Sequence, residues 1–216
     1  MTPEKPYNFK IFVLGHDSFE ISNSSFLTKI DLNEINTGIY SDNQLAESRI
    51  FFNDLPLQQN VDYLGFATYQ WNKKFKNSCK VENLYLLEKH LKPNIVWCPC
   101  KSKVHWSITS EWDHPGMFAL LYELSDLMQM NLEKESFYCN CFICHKDVYL
   151  DFICYFKEAF GYFYKKYKFN LPFIDQKPED ALRHAAFFYE RVTMLYFANR
   201  KDLCLNVIGN EANLLL

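Results

Sequence analysis

Residues 136–155 constrain the fold more than any other stretch of this chain; they read SFYCNCFICHKDVYLDFICY. The first half, residues 137–143, is aromatic and apolar enough to predict a short strand buried on both faces. After a turn at residues 145–147, apolar residues recur at helical spacing and predict an amphipathic helix with an aromatic face. These residues are Phe152, Phe156, Ala159, Phe160 and Phe163. Because a buried strand leading directly into a long helix is the unit of α/β domains, we expect an α/β fold.

Length and charge narrow the class of protein. A chain of 216 residues predicts one domain with a substantial core. A net charge of −3 argues against a dedicated nucleic-acid binder, which usually carries a basic surface. No stretch approaches the roughly 18 apolar residues of a membrane span, and the N-terminus lacks the apolar core of a signal peptide. We therefore expect a cytoplasmic protein without a transmembrane segment (in the host cytoplasm if the chain is viral), with reduced cysteines.

The cysteines invite a metal interpretation. Cys98 and Cys100 form one close pair and Cys139 and Cys141 another, and CxxCH at residues 141–145 matches the string that attaches c-type haem. Reduced cysteine, however, packs as a small hydrophobe, and these residues lie in apolar surroundings. We favour packing and predict a metal-free set, with a zinc-stapled interaction domain as the less favoured alternative.

The remaining chain alternates predicted strands and helices. Residues 9–14 read as a first strand ended by Gly15 and His16, and ligands of α/β sheets bind at such strand ends. Residues 18–41 read as irregular, and Ser41, Asp42 or Asn43 is the predicted N-cap of a helix that runs through Phe51. We further predict a helix over 82–91, a strand over 94–97, a loop-like segment over 104–116, a helix opened by Pro115 and a terminal strand over 203–208.

Four segments, taken together, resemble glycosyltransferases of the GT-A fold, such as those of bacterial capsule and lipopolysaccharide clusters and of large DNA viruses. They are the first strand, DYLGFATYQW at 62–71, CNCFICHKDVY at 139–149 and RHAAFFYERV at 183–192. The resemblance implies one Rossmann-related α/β domain over residues 1–209, with a central, mostly parallel mixed sheet flanked by helices. Residues 210–216 would be a tail or a linker toward further domains.

The resemblance also implies a function and a set of site residues. The function is transfer of a sugar from a nucleotide sugar, most simply a UDP-sugar, to a hydroxyl of a glycan or glycoprotein acceptor. A non-catalytic nucleotide- or sugar-binding module is the alternative. The residues expected to contact the nucleotide sugar are Gly15, His16, Asp42, Asn43, Glu47, Tyr69, Gln70, Asn140 and Arg191.

Three residues are candidates for catalysis. Glu190 stands where the family would hold a base that activates the acceptor, although an ion pair with Arg183 or Arg191 explains it equally well. Asp113 and His114 follow two tryptophans in the loop-like segment, a composition that suits sugar recognition.

The chain departs from the family at the metal site. Many GT-A enzymes end the central strand in Asp-x-Asp, which holds Mn²⁺ or Mg²⁺, and hard cations do prefer such oxygen ligands. Here residues 67–71 read ATYQW, with no acid. A divalent cation therefore remains a candidate cofactor, and its ligands are unknown. Either another residue supplies the ligands, or cations such as Lys73 and Lys74 take over the role of the metal ion.

Overall fold

The computed structural model describes residues 8–16, 19–35, 43–101, 106–134, 136–137, 139–174 and 184–209. The strands are β1 Phe9–Gly15, β2 Leu27–Asp31, β3 Tyr63–Thr68, β4 Ile95–Cys98, β5 Phe142–His145 and β6 Cys204–Val207. The α-helices are α1 Trp71–Lys74, α2 Trp106–Asp113, α3 Met117–Met128, α4 Lys146–Tyr167 and α5 His184–Asn199. Three further segments of the described chain are 3-10 helices, Leu32–Glu34, Asn43–Phe52 and Val81–His90.

The strands form one sheet in the order β2-β1-β3-β5-β4-β6. β1 pairs in parallel with both β2 and β3, β4 pairs in parallel with β6, and β5 is antiparallel to both its neighbours. The prediction of a mostly parallel mixed sheet flanked by helices is confirmed. Because β5 runs opposite to β3, the amino end of β5 lies at the same edge as the carboxyl ends of β1 and β3.

The sheet separates two apolar clusters, and alternate residues of each strand enter opposite ones, as the period of two requires. From β1, Phe12 and Leu14 join the larger cluster, whereas Ile11 and Val13 join the smaller one. Residues of α3, α4, α5 and the Asn43–Phe52 helix complete the larger cluster. The Val81–His90 helix and Trp71 of α1 complete the smaller one. Both faces of the sheet are therefore covered, as expected for mostly parallel strands.

The strand and helix of residues 136–155 are confirmed in kind but not in their bounds. The strand is only Phe142–His145, because Cys139 adopts a left-handed backbone with φ 65° that breaks the extended run before it. α4 then begins at Lys146 without an intervening turn, with His145 Nδ1 accepting a hydrogen bond from the Asp147 amide at 3.3 Å. The predicted aromatic face of α4 is buried throughout.

Two sequence predictions between residues 18 and 116 are wrong. Residues 18–41 contain a strand, β2, which is short and gains its stability by pairing with β1. The segment predicted as a loop contains helix α2, and α3 begins at Met117 rather than at Pro115. Glu111 accounts for the start of α3, because its two carboxylate oxygens accept hydrogen bonds at 2.9 Å from the amides of Gly116 and Phe118. A side chain of α2 thereby caps α3.

Within the part of the chain that the structure describes, no helix is both long enough and apolar enough to span a membrane.

Candidate functional site

A cavity of about 150 Å³ opens at the sheet edge where β1 and β3 end. Strand ends, the Asn43–Phe52 helix, α1, α5 and the segment before β5 all contribute to its wall. The lining residues are Leu14, Glu47, Thr68, Lys74, Cys139, Asn140, Cys141, Phe187 and Glu190. The cavity lies where the strand-end rule for α/β sheets predicts a ligand site.

The sheet topology explains why distant segments meet here. The Tyr69 amide donates to the Leu14 carbonyl at 2.8 Å, which keeps the ends of β1 and β3 together. The reversed β5 brings residues 139–141 to the same edge, since Phe142 pairs with Phe66 near the end of β3. α5 packs on the Asn43–Phe52 helix, and these two elements carry the carboxylates of Glu190 and Glu47.

Glu190 is fixed by one carboxylate oxygen. Its Oε1 accepts a hydrogen bond from the Cys139 amide at 3.0 Å and lies 3.2 Å from Nη1 of Arg191. Among the described residues, none donates a hydrogen bond to Oε2. The side chain remains 20% exposed. The ion pair considered from the sequence therefore exists, and it leaves the second oxygen available at the cavity.

Arg191 supports Glu190 from behind. The Arg191 side chain is buried, and its Nε donates to Ser110 Oγ on α2 at 3.1 Å. Ser110, Arg191 and Glu190 thus form a chain of contacts from α2 through α5 to the Cys139 amide. Arg191 is not among the residues that line the cavity, so it is placed to position Glu190 rather than to contact a ligand.

Asn140 presents an unusual polar group to this region. Its Nδ2 donates to Ser48 Oγ at 3.0 Å, and the whole residue is only 8% exposed. Its Oδ1 is buried without a hydrogen-bond partner among the described residues. Because leaving a buried acceptor unpaired costs about 1–3 kcal/mol, such a group is a candidate for ligand contact.

The end of β1 carries a small aromatic surface beside the cavity. The rings of Phe19 and Tyr69 lie 5.4 Å apart, and Tyr69 is 44% exposed. Gln70 Nε2 donates to the Tyr69 hydroxyl at 2.7 Å. A Cβ at Gly15 would lie 2.6 Å from the Phe19 ring and 3.0 Å from the Tyr69 ring, so this packing requires glycine. His16 follows directly and is half-buried.

The other predicted site residues do not join the cavity or lie outside the described residues. Asp113 is exposed at the end of α2. His114 is buried and stacks on Phe187 with centroids 4.3 Å apart, so it lies behind a lining residue. Asp42 and Arg183 fall outside the described residues, and of Asn43 only the backbone is described.

Of the cysteines at the site, Cys141 is buried and Cys139 is partly buried. Burial raises the pKa of Cys139 and Cys141 well above its usual range, and burial raises that of Cys98 to about 12. Zinc binding requires thiolates, so such an environment favours packing over coordination. The prediction that the set is metal-free stays a prediction.

The described residues do not fit a divalent cation at this site. β3 ends in Thr68, and the described lining of the cavity offers only the carboxylates of Glu47 and Glu190, the latter already paired with Arg191. In the described ranges, no three His, Cys, Asp or Glu side chains converge to hold a metal ion. Mn²⁺ and Mg²⁺ usually take six oxygen ligands, with carboxylates among them.

Some lining residues were not identified as site residues from the sequence. Thr68 and Phe187 belong to segments that resemble the family but carry no recognisable chemical signal. Thr68 could have been found as the polar residue that ends a buried strand. Lys74 was predicted only as a nearby cation, since five residues separate it from the strand end in sequence.

Comparison with known proteins addresses the fold. No protein-family model matches the chain, and no curated protein matches it. Among solved structures, the chain is similar to the apo structure of WbbM, a bifunctional glycosyltransferase, with a TM-score of 0.61 and 14% sequence identity. The similarity covers 93% of this chain but 44% of WbbM, so this chain spans less than half the length of that protein. The chain therefore has a glycosyltransferase-like fold, in agreement with the predicted GT-A-like α/β architecture.

Proposed function

We propose that this protein transfers a sugar from a nucleotide sugar, most simply a UDP-sugar, to a hydroxyl group of a glycan or glycoprotein acceptor. The observation that carries the proposal is Glu190, which is anchored through Oε1 and offers Oε2 at a cavity beside the ends of β1 and β3. The glycosyltransferase-like fold and the four family-like segments support the same assignment.

The lining of the cavity suits a hydroxyl-rich, negatively charged ligand. Glu47, Glu190 and Asn140 offer oxygen acceptors to sugar hydroxyls, and Lys74 offers an ammonium group to a phosphate. A volume of about 150 Å³ corresponds to about five water molecules at roughly 30 Å³ each. That volume suits one sugar ring and is below the roughly 300–1,000 Å³ of typical small-molecule sites.

The nucleoside of the donor is therefore assigned to the neighbouring surface. The exposed ring of Tyr69, supported by Phe19 and held by Gln70, offers a face for base stacking. Stacking of a base on an aromatic side chain is worth about 1–3 kcal/mol. His16 adjoins the same strand end and completes this part of the proposed site.

The reaction follows as a direct displacement. The acceptor oxygen attacks the anomeric carbon, and the bond from that carbon to the diphosphate oxygen breaks. Glu190 Oε2 takes the hydroxyl proton, and the electron pair leaves with the nucleoside diphosphate. Arg191 and the Cys139 amide hold Glu190 as a preorganised carboxylate, so no reorganisation is needed during the step.

Turnover of a panel of UDP-, GDP- and CMP-sugars tests the proposal, with released nucleoside diphosphate or monophosphate as the readout. We expect one donor to be consumed, with or without acceptor, and Glu190→Gln to reduce turnover by roughly 10²–10⁴-fold because it removes the base. UDP affinity should change little, since Glu190 acts on the acceptor.

Glu158→Gln is the matched control, because Glu158 is exposed on α4 and does not line the cavity. Glu190→Asp serves as a second variant if loss of the charge next to buried Arg191 prevents folding. Full turnover by a folded Glu190→Gln variant would mean that Glu190 has only a structural role, as the ion-pair partner of Arg191. Donor binding by the wild type without any turnover would instead indicate a binding module, and no binding at all would refute the proposed function.

A further inference from the structure

The described residues of the cavity lack the ligand set of a divalent cation, yet a departing diphosphate requires positive charge. Of the described residues that line the cavity, Lys74 is the one with a basic side chain. Lys74 is exposed, and it forms no ion pair or hydrogen bond through its ammonium group with any described residue. The charge is thus available to a ligand.

The backbone of Lys74 is firmly placed. α1 follows β3 after two residues, and the Lys74 amide donates to the Gln70 carbonyl at 2.9 Å. Trp71 anchors this short helix, since its side chain is buried and its Nε1 donates to the Cys79 carbonyl at 2.8 Å. The lysine therefore projects from an anchored turn just beyond the strand end where the family places Asp-x-Asp.

The positive charge of Lys74 acts on two other residues that line the cavity, Cys139 and Cys141. Burial raises the pKa of the Cys139 and Cys141 thiols, and the positive charge of Lys74 acts in the opposite direction on both. Lys73, one residue earlier and also exposed, does not line the cavity. Two neighbouring lysines on one helix thus differ in their access to the site.

We propose that Lys74 binds the diphosphate of the nucleotide sugar and neutralises the leaving group, in the place of the family's divalent cation. This inference rests on the proposed function. An ammonium group donates three charge-assisted hydrogen bonds and is a common phosphate ligand. In the displacement step it stabilises the negative charge that develops when the bond to the anomeric carbon breaks.

Titration calorimetry with two probes, uridine and UDP, tests the inference without relying on turnover. Each probe is titrated into the wild type and into Lys74→Ala, Lys74→Arg and Lys73→Ala, once with EDTA and once with Mn²⁺. We expect Lys74→Ala to weaken UDP binding about tenfold, as the loss of about 1.5 kcal/mol in one charge-assisted contact implies, and to leave uridine binding unchanged. Lys74→Arg should retain most of the affinity, and Lys73→Ala should match the wild type.

Wild-type UDP affinity should also be the same within about twofold in EDTA and in Mn²⁺. Two results would overturn the role of Lys74 while leaving the proposed function in place. They are UDP binding that requires Mn²⁺, and a Lys74→Ala variant that binds UDP as well as Lys73→Ala does. If the wild type bound no nucleoside diphosphate under either condition, the proposed function itself would fall.

Discussion

At the scale of single residues, the site consists of side chains whose partners determine what they can do. Glu190 has one oxygen committed to Arg191 and the Cys139 amide, and Asn140 has one buried oxygen without a described partner. Ser110 and Ser48 hold Arg191 and Asn140 from elements far away in sequence. The site therefore depends on polar contacts between elements as much as on the lining residues themselves.

Burial makes a prediction about the cysteines. Cys154 and Cys204 are exposed, whereas Cys98, Cys141 and Cys144 are buried, and burial raises the pKa of all three buried thiols. Because the thiolate is the nucleophile, iodoacetamide at pH 8 should alkylate Cys154 and Cys204 first in the native protein. Peptide mapping by mass spectrometry measures the order.

Denaturant provides the control, since all eight cysteines should then react at similar rates. Alkylation of native Cys141 or Cys144 as fast as Cys154 would mean that these thiols are accessible, and it would reopen the zinc interpretation.

At the scale of elements, close packing in the centre of the sheet fixes where the strand ends lie. Gly65 of β3 lies between Ile11 of β1 and Ile143 of β5, which are its register partners. The Asn43–Phe52 helix is kinked at buried Ala46, whose φ of 41° is uncommon for a residue with a side chain, and Glu47 follows the kink directly. The position of the cavity wall therefore depends on irregular as well as regular backbone.

Two glycine substitutions should have opposite effects on stability. A Cβ at Gly65 would lie 2.9 Å from Cγ1 of both Ile11 and Ile143, so Gly65→Ala should lower the free energy of unfolding by about 1–3 kcal/mol. Exposed Gly161 on α4 has open space around its Cα, so Gly161→Ala should raise the free energy of unfolding by about 0.5–1 kcal/mol. Urea denaturation measures both. Equal stability of the two variants would contradict the tight packing of the central strands.

At the scale of the whole molecule, one sheet joins both apolar clusters, so they should unfold together. Phe152 lies in the larger cluster, with the ring centroid of Phe51 at 4.9 Å and those of Tyr196 and Phe197 at 5.4 Å. The aromatic richness of the chain is thus used in large part for packing, as expected from the sequence.

Phe152→Ala should lower the free energy of unfolding by about 3–5 kcal/mol, since it leaves a cavity among these rings. Tryptophan fluorescence, to which Trp71 and Trp97 of the smaller cluster contribute, should report the same midpoint as far-UV circular dichroism. Leu150→Ala, at an exposed position of the same helix, is the control and should be nearly neutral. Separate midpoints for the two probes would show that the faces unfold independently.

The sequence by itself determined the elements whose signal is local. β1 and the aromatic face of α4 follow from runs and periodicities within a few turns of chain, and their burial agrees with the prediction. β3 was instead predicted from the resemblance to the family. The resemblance to the family also pointed to Glu47, Asn140 and Glu190, which the structure brings to one cavity although their roles remain proposals.

Only the tertiary structure decided the features that depend on long-range contacts. β2 forms because β1 is beside it, and the carboxylate of Glu111, near the end of α2, caps α3. A local sequence pattern reveals neither contact. The pairing of Glu190 with Arg191, and the position of Lys74 rather than Lys73 at the cavity, depend on the direction in which each side chain leaves its helix. That direction is set by how each helix packs against the sheet. Close packing of its buried side chains allows the helix only one of the orientations that its own sequence would permit.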